Sequence, residues 1–542
     1  METIQATVNP RLLNKASRLF TGTLQGRITE ILQNARRAGA TKVEITNKDG
    51  LVTIRDNGRG IEDFARLLDL GGSGWEEAFE ASEDPAGVGL FCLAPRELVI
   101  RSNGKVATIS GDRWTGKSVP IMDDADPVQG TVLWFRDEAW THSDVDINAV
   151  FCGMDVVVDG EACPKMPFVS DKALPKPELG CRIEVRESKD LGPWHHSCKR
   201  DRWHWANVMV NFHGQVVAFQ YRPVDEHELH FLVDLTGEAT GIRLMLPART
   251  QLVENEALDQ LKQTLELEAY KYIQKRGRHR LPYKQYVRAK ELGVDLPEAE
   301  PAFDVGLLTG DTPEPIEVSK PEDLPLAKCY RVDPDDKELD EIDEANVHLL
   351  AALGKFDEPF VPVTVNRCYN GYSWAKLPLI KEVAVTTGKE LQEIWMWSGK
   401  LVCMDALKIT VKTSDGQSWT SQVCMAIRRI ESDKQHSWCD DEVLVTPAAK
   451  ELDASDIWFH LGGWYDEGDT FDTQLSQFED ELERFWAQLI GPDESLRRAI
   501  VGTLERLSGW KAVTALANGT VRISFNDGPE KHIKPPPTPS AS

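Results

Sequence analysis

The stretch from Glu30 to Ile61 constrains this 542-residue chain more than any other. Leu24, Ile28, Ile31 and Ala35 recur at helical spacing, which predicts a helix that buries one face and stops at Gly39, a left-handed terminator. Glu30 and Asn34, four residues apart in Glu30-Ile31-Leu32-Gln33-Asn34-Ala35, share a face beside that stripe. Val43 and Ile45 then alternate with polar residues, Asp49-Gly50 supplies a hairpin turn, and Val52 and Ile54 repeat the alternation. The second strand delivers Asp56 into the glycine-rich turn Asp56-Asn57-Gly58-Arg59-Gly60-Ile61. A helix over a hairpin, with an acid and an amide on one element and a second acid before glycines on the other, suggests an ATP site.

Further glycines follow. Gly71-Gly72-Ser73-Gly74 marks a mobile segment, and Gly87-Val88-Gly89-Leu90-Phe91 leads into a helix or turn. Strand-like runs come at Leu98 to Ile100, at Val106 to Ile109 and, after Gly130, at Thr131 to Phe135. ATP hydrolysis needs a metal-neutralised triphosphate, a positioned water and donors around the departing phosphate. Asn34 offers a side-chain oxygen to Mg2+, and Glu30 either accepts a proton from the attacking water or orients it. Asp56 can accept a hydrogen bond from an adenine amino group, and Gly58 and Gly60 let the backbone approach the base. Gly87 and Gly89, with Val88 between them, can present backbone N–H groups to phosphates.

Together these motifs resemble the GHKL superfamily, which includes gyrase-type ATPases, the ninety-kilodalton heat-shock chaperone, sensor histidine kinases and MutL-type mismatch-repair ATPases. Glu30 to Thr41 looks most like the MutL-type first motif, and Asp56 to Ile61 is similar to the superfamily's second. Gly87-Val88-Gly89-Leu90 resembles the third, and Gly130-Thr131 the late threonine that supports the adenine-binding aspartate. The resemblance runs from the start to about residue 140. It implies a two-layer α/β sandwich of the GHKL type that uses ATP and Mg2+. By position, Glu30 would be the general base, Asn34 the Mg2+ ligand, Asp56 the adenine reader, with Thr131 behind it, and Gly87 and Gly89 the phosphate cradle. It also implies a lid, from about residue 62 to 89, that closes on nucleotide, orders the N-terminal arm and promotes a homodimer. In dimerising members a second, transducer domain returns a basic or amide side chain to the γ-phosphate. Here the strand end at Pro247-Ala248-Arg249-Thr250-Gln251 is the expected place, with Arg249 first, Gln251 second and Lys262 a weaker choice inside the following helix. The chain departs from the MutL-type pattern where Arg36 or Arg37 replaces a usual acid. Arg37 is similar to the basic residue three positions after the asparagine in histidine kinases, yet no histidine precedes Asn34 to act as phospho-acceptor.

The whole chain reads as α+β, in about three domains by length. Residues 1–160 form the ATPase-type domain. Residues 165–292 form a transducer-like α/β domain with a hairpin from Val208 to Phe219 turning at His213-Gly214, a strand from Ile242 to Leu246, and a helix marked by Leu258, Leu261, Leu265, Ala269 and Tyr272. Residues 293–345, rich in Pro, Asp and Glu, read as a linker or surface-hugging connector. Residues 346–527 form a C-terminal α+β domain with strands at Lys400 to Cys403 and Leu407 to Val411. Its helices are marked by Leu475, Phe478, Leu482, Phe485 and Leu489, and by Leu496, Ile500, Leu504 and Leu507. Residues 528–542 are expected to be disordered.

A formal net charge of −25 argues against phosphate-backbone binding by the whole surface. Lys271 to Lys290 is either a local basic patch or a solvated helix end and connector. No apolar run is long enough to span a membrane, and the first residues lack the regions of a signal peptide, so a cytoplasmic protein is expected. Ten cysteines without a Cys-x-x-Cys pair predict buried thiols. His195, His196 and Cys198, near Cys181, fit no structural zinc spacing. Asp466, Glu467, Asp469 and Asp472 lack calcium-loop spacing, and Asp472 reads as a helix N-cap. Two clients fit. DNA transactions or genome defence follow from the MutL-like motif and the basic stretch. A chaperone-like or scaffold role on protein partners follows from the acidic balance and the tryptophans at 374, 395, 397, 458 and 464.

Overall fold

The computed structural model describes residues 23–69, 89–191, 207–235, 241–245, 249–303, 328–332, 339–358, 360–396, 399–429, 441–461, 471–490, 509–515, 521–526 and 528–533. The chain divides into two compact units, Met1–Ala299 and Glu300–Ser542.

In the first unit, helix α1 (Leu24–Arg37) is capped by Thr23, whose hydroxyl accepts from the Gly26 N–H. It gives way to the chain reversal at Gly39, φ +74°, a conformation glycine adopts without steric cost. Strands β1 (Lys42–Lys48) and β2 (Leu51–Asp56) pair antiparallel through a turn in which Asp49 and Gly50 both take positive φ, as a two-residue hairpin requires. Then come β3 (Leu98–Ser102), β4 (Lys105–Ile109), β5 (Ile121–Asp123), β6 (Thr131–Arg136), helix α2 (His142–Ala149), β7 (Asp155–Val158) and β8 (Glu161–Ala162). These eight strands form one sheet of order β5-β4-β3-β6-β2-β1-β7-β8, in which β1 and β7 run parallel and the other neighbours antiparallel.

Ile28, Ile31, Leu32 and Ala35 of α1 share one core with Val43, Ile45, Val52 and Ile54 of the hairpin and with Leu133 and Phe135 of β6. Each fully buried aliphatic side chain of this layer contributes about 1.5–3 kcal/mol. Asp137 fastens the helix to the end of β6. It accepts from Arg27 Nε at 3.1 Å, Arg96 Nη2 at 2.7 Å and Trp140 Nε1 at 3.1 Å.

The same unit continues with β9 (Leu174–Lys176), β10 (Cys181–Glu187), β11 (Val208–Phe212), β12 (Gln215–Phe219) and β13 (Leu229–Leu235), a five-stranded sheet of order β12-β11-β13-β10-β9. Helix α3 (Glu256–Arg276) buries Leu258, Leu261, Leu265, Ala269 and Ile273 in that sheet's core. A further helix, α4 (Tyr283–Glu291), follows.

The strand expected at Ile242 to Leu246 is absent among the described residues of that segment, where Leu244 makes only an isolated bridge with Leu252. The reason is a local fold-back. Met245 N donates to Gln251 O at 2.8 Å and Arg249 N to Met245 O at 2.9 Å, so the segment turns on itself instead of running along a sheet.

The second unit contains a four-stranded sheet built from Glu390–Met396, Gly399–Met404, Asp441–Val445 and Met425–Arg429, in that order. A three-stranded sheet joins Ile380–Thr387, Leu407–Thr413 and Ser418–Gln422, and Cys329–Val332 pairs parallel with Val361–Thr364. Val347, Leu349 and Leu350 from the helix Glu341–Leu353, and Phe478 and Phe485 from the helix Phe471–Ile490, enter the same core as these sheets. Within 293–345 the described residues include buried Val294, Leu296, Phe303 and Cys329.

Asp472 stands in the first turn of its helix instead of capping it, because Phe471 is already helical; its charge there complements the N-terminal dipole. The second helix expected in this region, the His195, His196 and Cys198 group, and Asp466, Glu467 and Asp469 lie outside the described residues, as do Trp397 and Trp464. Trp374 and Trp458 are buried and Trp395 is exposed. Cys92, Cys152, Cys163, Cys181, Cys329 and Cys403 are buried, and Cys368 is exposed. Among the described residues no helix is long and apolar enough to cross a membrane. The chain is an α+β protein whose first unit is built around a large mixed sheet.

Candidate functional site

Strand β2 ends at Asp56, opposite Thr131 on β6. The Asp56 carboxylate accepts from the Gly58 N–H at 2.9 Å and from the backbone and hydroxyl of Thr131. Burial raises its pKa above the ordinary carboxylate value, and these three hydrogen bonds pull the other way.

The turn after Asp56 allows no side chain at its glycines. A Cβ on Gly58 would stand 2.8 Å from the Ala38 carbonyl oxygen, and one on Gly60, at φ +78°, would stand 2.7 Å from both Ser102 Oγ and Asn103 Oδ1. The Arg59 N–H donates to that same Ala38 carbonyl at 2.9 Å. Asn57 faces the start of β1, where its Oδ1 accepts from Thr41 N at 2.8 Å and Lys42 N at 2.9 Å. The glycine turn is thereby pinned to the C-terminal end of the helix that carries Glu30 and Asn34.

Two residues of this frame escaped the sequence reading. Ser102, fully buried at the end of β3, donates to Gly130 O at 2.7 Å and accepts from Ile61 N at 2.8 Å. Asn103 donates through Nδ2 to Arg59 O at 3.1 Å and Ile61 O at 3.2 Å. The available signal was Asn103-Gly104, a two-residue hairpin turn with both φ positive, between two strand-like runs.

On α1, Glu30 and Asn34 share a face with Arg37. Arg37 Nη1 lies 3.8 Å from Glu30 Oε1 and donates to Asn34 Oδ1 at 3.3 Å, from a side chain that is 1% exposed. Gln33, 4% exposed, donates through Nε2 to His213 O at 2.7 Å, while its Oε1 is buried without a hydrogen-bond partner. Next to His213, a Cβ on Gly214 would stand 2.9 Å from Cys152 Cα. The tip of the β11–β12 hairpin is therefore seated against the first sheet's helical layer, one residue from Asn34.

Arg249 is not an exposed residue ending a strand. It is buried at φ +53°, its carbonyl accepts from Gln215 Nε2 at 2.7 Å, and its guanidinium lies 5.6 Å from the Phe212 ring centroid. Phe212 directly precedes His213, so Arg249 packs against the same hairpin tip that meets α1. Gln251 is exposed. Lys262 pairs with Asp259 on its own helix at 3.2 Å and with Glu254, just before that helix, at 2.8 Å. Gly87 and Val88, with the segment from residue 70 onward, lie outside the described residues, and Gly89 opens a short turn, Gly89–Leu93.

The residues present fit ATP with Mg2+. Asp56 offers a half-buried acceptor, the glycines form a cradle that a Cβ would fill, and Asn34 offers an oxygen. Among the described residues there is no cluster of three His, Cys, Asp or Glu side chains able to hold a metal. Mg2+ takes few protein ligands and keeps phosphate oxygens and waters, so one amide oxygen is a sufficient protein ligand for it.

No family model and no curated protein sequence matches the chain. Solved structures similar to it include the N-terminal domain of a DNA repair protein, 13% identical over 47% of this chain and 96% of that one, with a TM-score of 0.30. The ATPase region of Saccharomyces cerevisiae topoisomerase II is 10% identical over 43% of this chain and 77% of that one, with a TM-score of 0.29.

Proposed function

We propose that the first unit binds ATP, hydrolyses it, and uses the cycle as a conformational switch. The observation that carries the proposal is Asp56, a half-buried acid held by Gly58 and Thr131 beside glycines that admit no Cβ. An adenine amino group is the donor such an acceptor suits. The GHKL-type motif order in the sequence supports the same reading.

Asp56 orients the base, the glycine turn lets it approach the backbone, and Asn34 places an oxygen toward the triphosphate. Bound Mg2+ would neutralise phosphate charge there. Glu30 accepts the proton of the attacking water as its oxygen bonds to the γ-phosphorus. The bond from that phosphorus to the β,γ-bridging oxygen breaks, and ADP leaves with the electron pair. Arg249, packed against the second sheet's hairpin through Phe212 and Gln215, is the first choice for sensing γ-phosphate charge, and Gln251 the second. Gln33, donating to the same hairpin, links the site to that sheet. Lid closure over about residues 62 to 89, with Gly87, Val88 and Gly89 on the phosphates, and homodimerisation complete the proposed cycle.

For the client, DNA transactions or genome defence remain the leading proposal, on the strength of the MutL-like motif. The ion pairs of the basic stretch favour the alternative, a protein client. Lys271 pairs with Glu268, Arg276 with Glu226 and Glu187, and Arg288 with Glu266 and Glu291, which leaves less charge to displace counterions from DNA. DNA retention stimulated by ATP and weakened by salt supports the first proposal; its absence with and without nucleotide contradicts it.

The test of the ATPase proposal is phosphate release by the purified chain, with Asp56→Asn as the binding-impaired control. Glu30→Ala is expected to retain ATP binding and lose turnover by about 10²–10⁴-fold. Unchanged turnover in Glu30→Ala contradicts its role.

A further inference from the structure

We infer that Arg37 is a resident cation of this site, a positioning residue that holds Asn34 and Glu30 together and makes ATP binding less dependent on Mg2+. The inference rests on the reading that this face of α1 meets Mg2+ and ATP.

Glu30, Asn34 and Arg37 follow one another at spacings of four and three, which places all three along one stripe of a helix. The guanidinium is a planar, permanently charged fork, and one of its nitrogens stands 3.3 Å from Asn34 Oδ1 and 3.8 Å from Glu30 Oε1. Its side chain is almost wholly buried, so solvent screens it little, and its place in the last turn of α1 puts positive charge where the helix dipole favours it.

Asn34 Oδ1 has two lone pairs, so a metal and the guanidinium can share it. Their like charges repel at that distance, which lowers metal affinity. The same charge stands near the oxygens that would face the triphosphate, which favours nucleotide without metal. Both effects act in one direction. They compress the ratio of ATP affinity in Mg2+ to ATP affinity in a chelator.

The experiment is calorimetric titration of the full chain with ATP in saturating Mg2+ and in EDTA, for wild type, Arg37→Met, Arg37→Gln and Arg37→Lys, each checked by thermal melting. The two neutral variants are expected to raise the ratio about tenfold or more, by weaker binding in EDTA and a lower half-saturating Mg2+ concentration. Arg37→Lys keeps the charge but lacks the planar guanidinium fork that holds it in place, so its ratio is expected to rise severalfold and fall between wild type and the neutral variants. If the neutral variants fail to fold, Arg37→Lys decides alone. A ratio that does not move in a folded variant overturns the inference and leaves the ATP site standing. Absence of ATP binding by wild type in both buffers overturns the reading beneath it.

Discussion

Asn34 in the first unit and Asn346 in the second both stand on helices, and their surroundings differ in kind. Asn346 is buried and closes a complete pair of bonds on one backbone residue: its Nδ2 donates to Ile427 O at 2.8 Å, and Ile427 N donates to its Oδ1 at 2.8 Å. Asn34 is only half-buried, and its oxygen takes a longer bond of 3.3 Å from a guanidinium that also faces Glu30. The amide in the second unit completes a structure. The amide in the first unit stands among charges, on the helix to whose C-terminal end the glycine turn is pinned. A polar residue that serves packing finishes its hydrogen bonds within the fold, whereas the role proposed for Asn34 requires an acceptor with a lone pair to spare.

The largest effect that separates the two is on stability. Asn346→Ala strands a buried N–H and C=O of Ile427 and is expected to cost about 2–4 kcal/mol in urea unfolding, with ATP affinity unchanged. Asn34→Ala is expected to cost less than about 1 kcal/mol, because Asn34 is half-buried and its bond to Arg37 is long at 3.3 Å, and to weaken ATP binding in Mg2+ about tenfold. Equal stability losses in the two variants would break the comparison.

A smaller effect lies in pH dependence, and its sign differs between the units. The carboxyl of Asp56 is raised in the folded chain, so the stability favouring its neutral form is present at low pH and lost as pH rises through the folded pKa. Adenine needs the acceptor form, so ATP affinity is expected to fall on acidification from a pH above the usual carboxylate range, and Asp56→Asn to flatten that fall. In the second unit, burial pulls the His460 imidazole down from 6.5 to about 4. The unfolded chain therefore takes up the proton first, and stability is expected to decline as pH drops through that interval, as urea midpoints at successive pH values will show. Acid then weakens binding in one unit and folding in the other. An ATP affinity flat across the acid range would remove the contrast.

Much of the first unit was legible because its local chemistry admits few conformations. Asp49-Gly50 and His213-Gly214 occupy positive φ in hairpin turns, and Gly58 and Gly60 stand where a Cβ would collide. The apolar spacing of α1 and α3 marked their buried faces. What stayed hidden depends on contacts between distant parts of the chain. The bond from Gln33 to His213 spans 180 residues, and nothing local announces it. The run from Ile242 has the apolar character of a strand, but a fold-back at Arg249 decides its conformation. Arg249 stood out at an expected strand end, but its burial depends on Phe212 and on the Gln215 amide, which lie far from it in sequence. Arg37 was visible as a departure from the MutL-like motif, yet only the three-dimensional arrangement shows that it touches Asn34 and faces Glu30.

The central claim is that the glycine turn after Asp56 reads a nucleotide, and equilibrium titration of the full chain with ATP in Mg2+ tests it most directly. Wild type is expected to saturate at one ATP per chain, and Asp56→Asn to bind about ten- to a hundredfold more weakly, the loss of a hydrogen bond to a charged group. Equal affinity in the two proteins, or no saturable binding by wild type, would contradict the account.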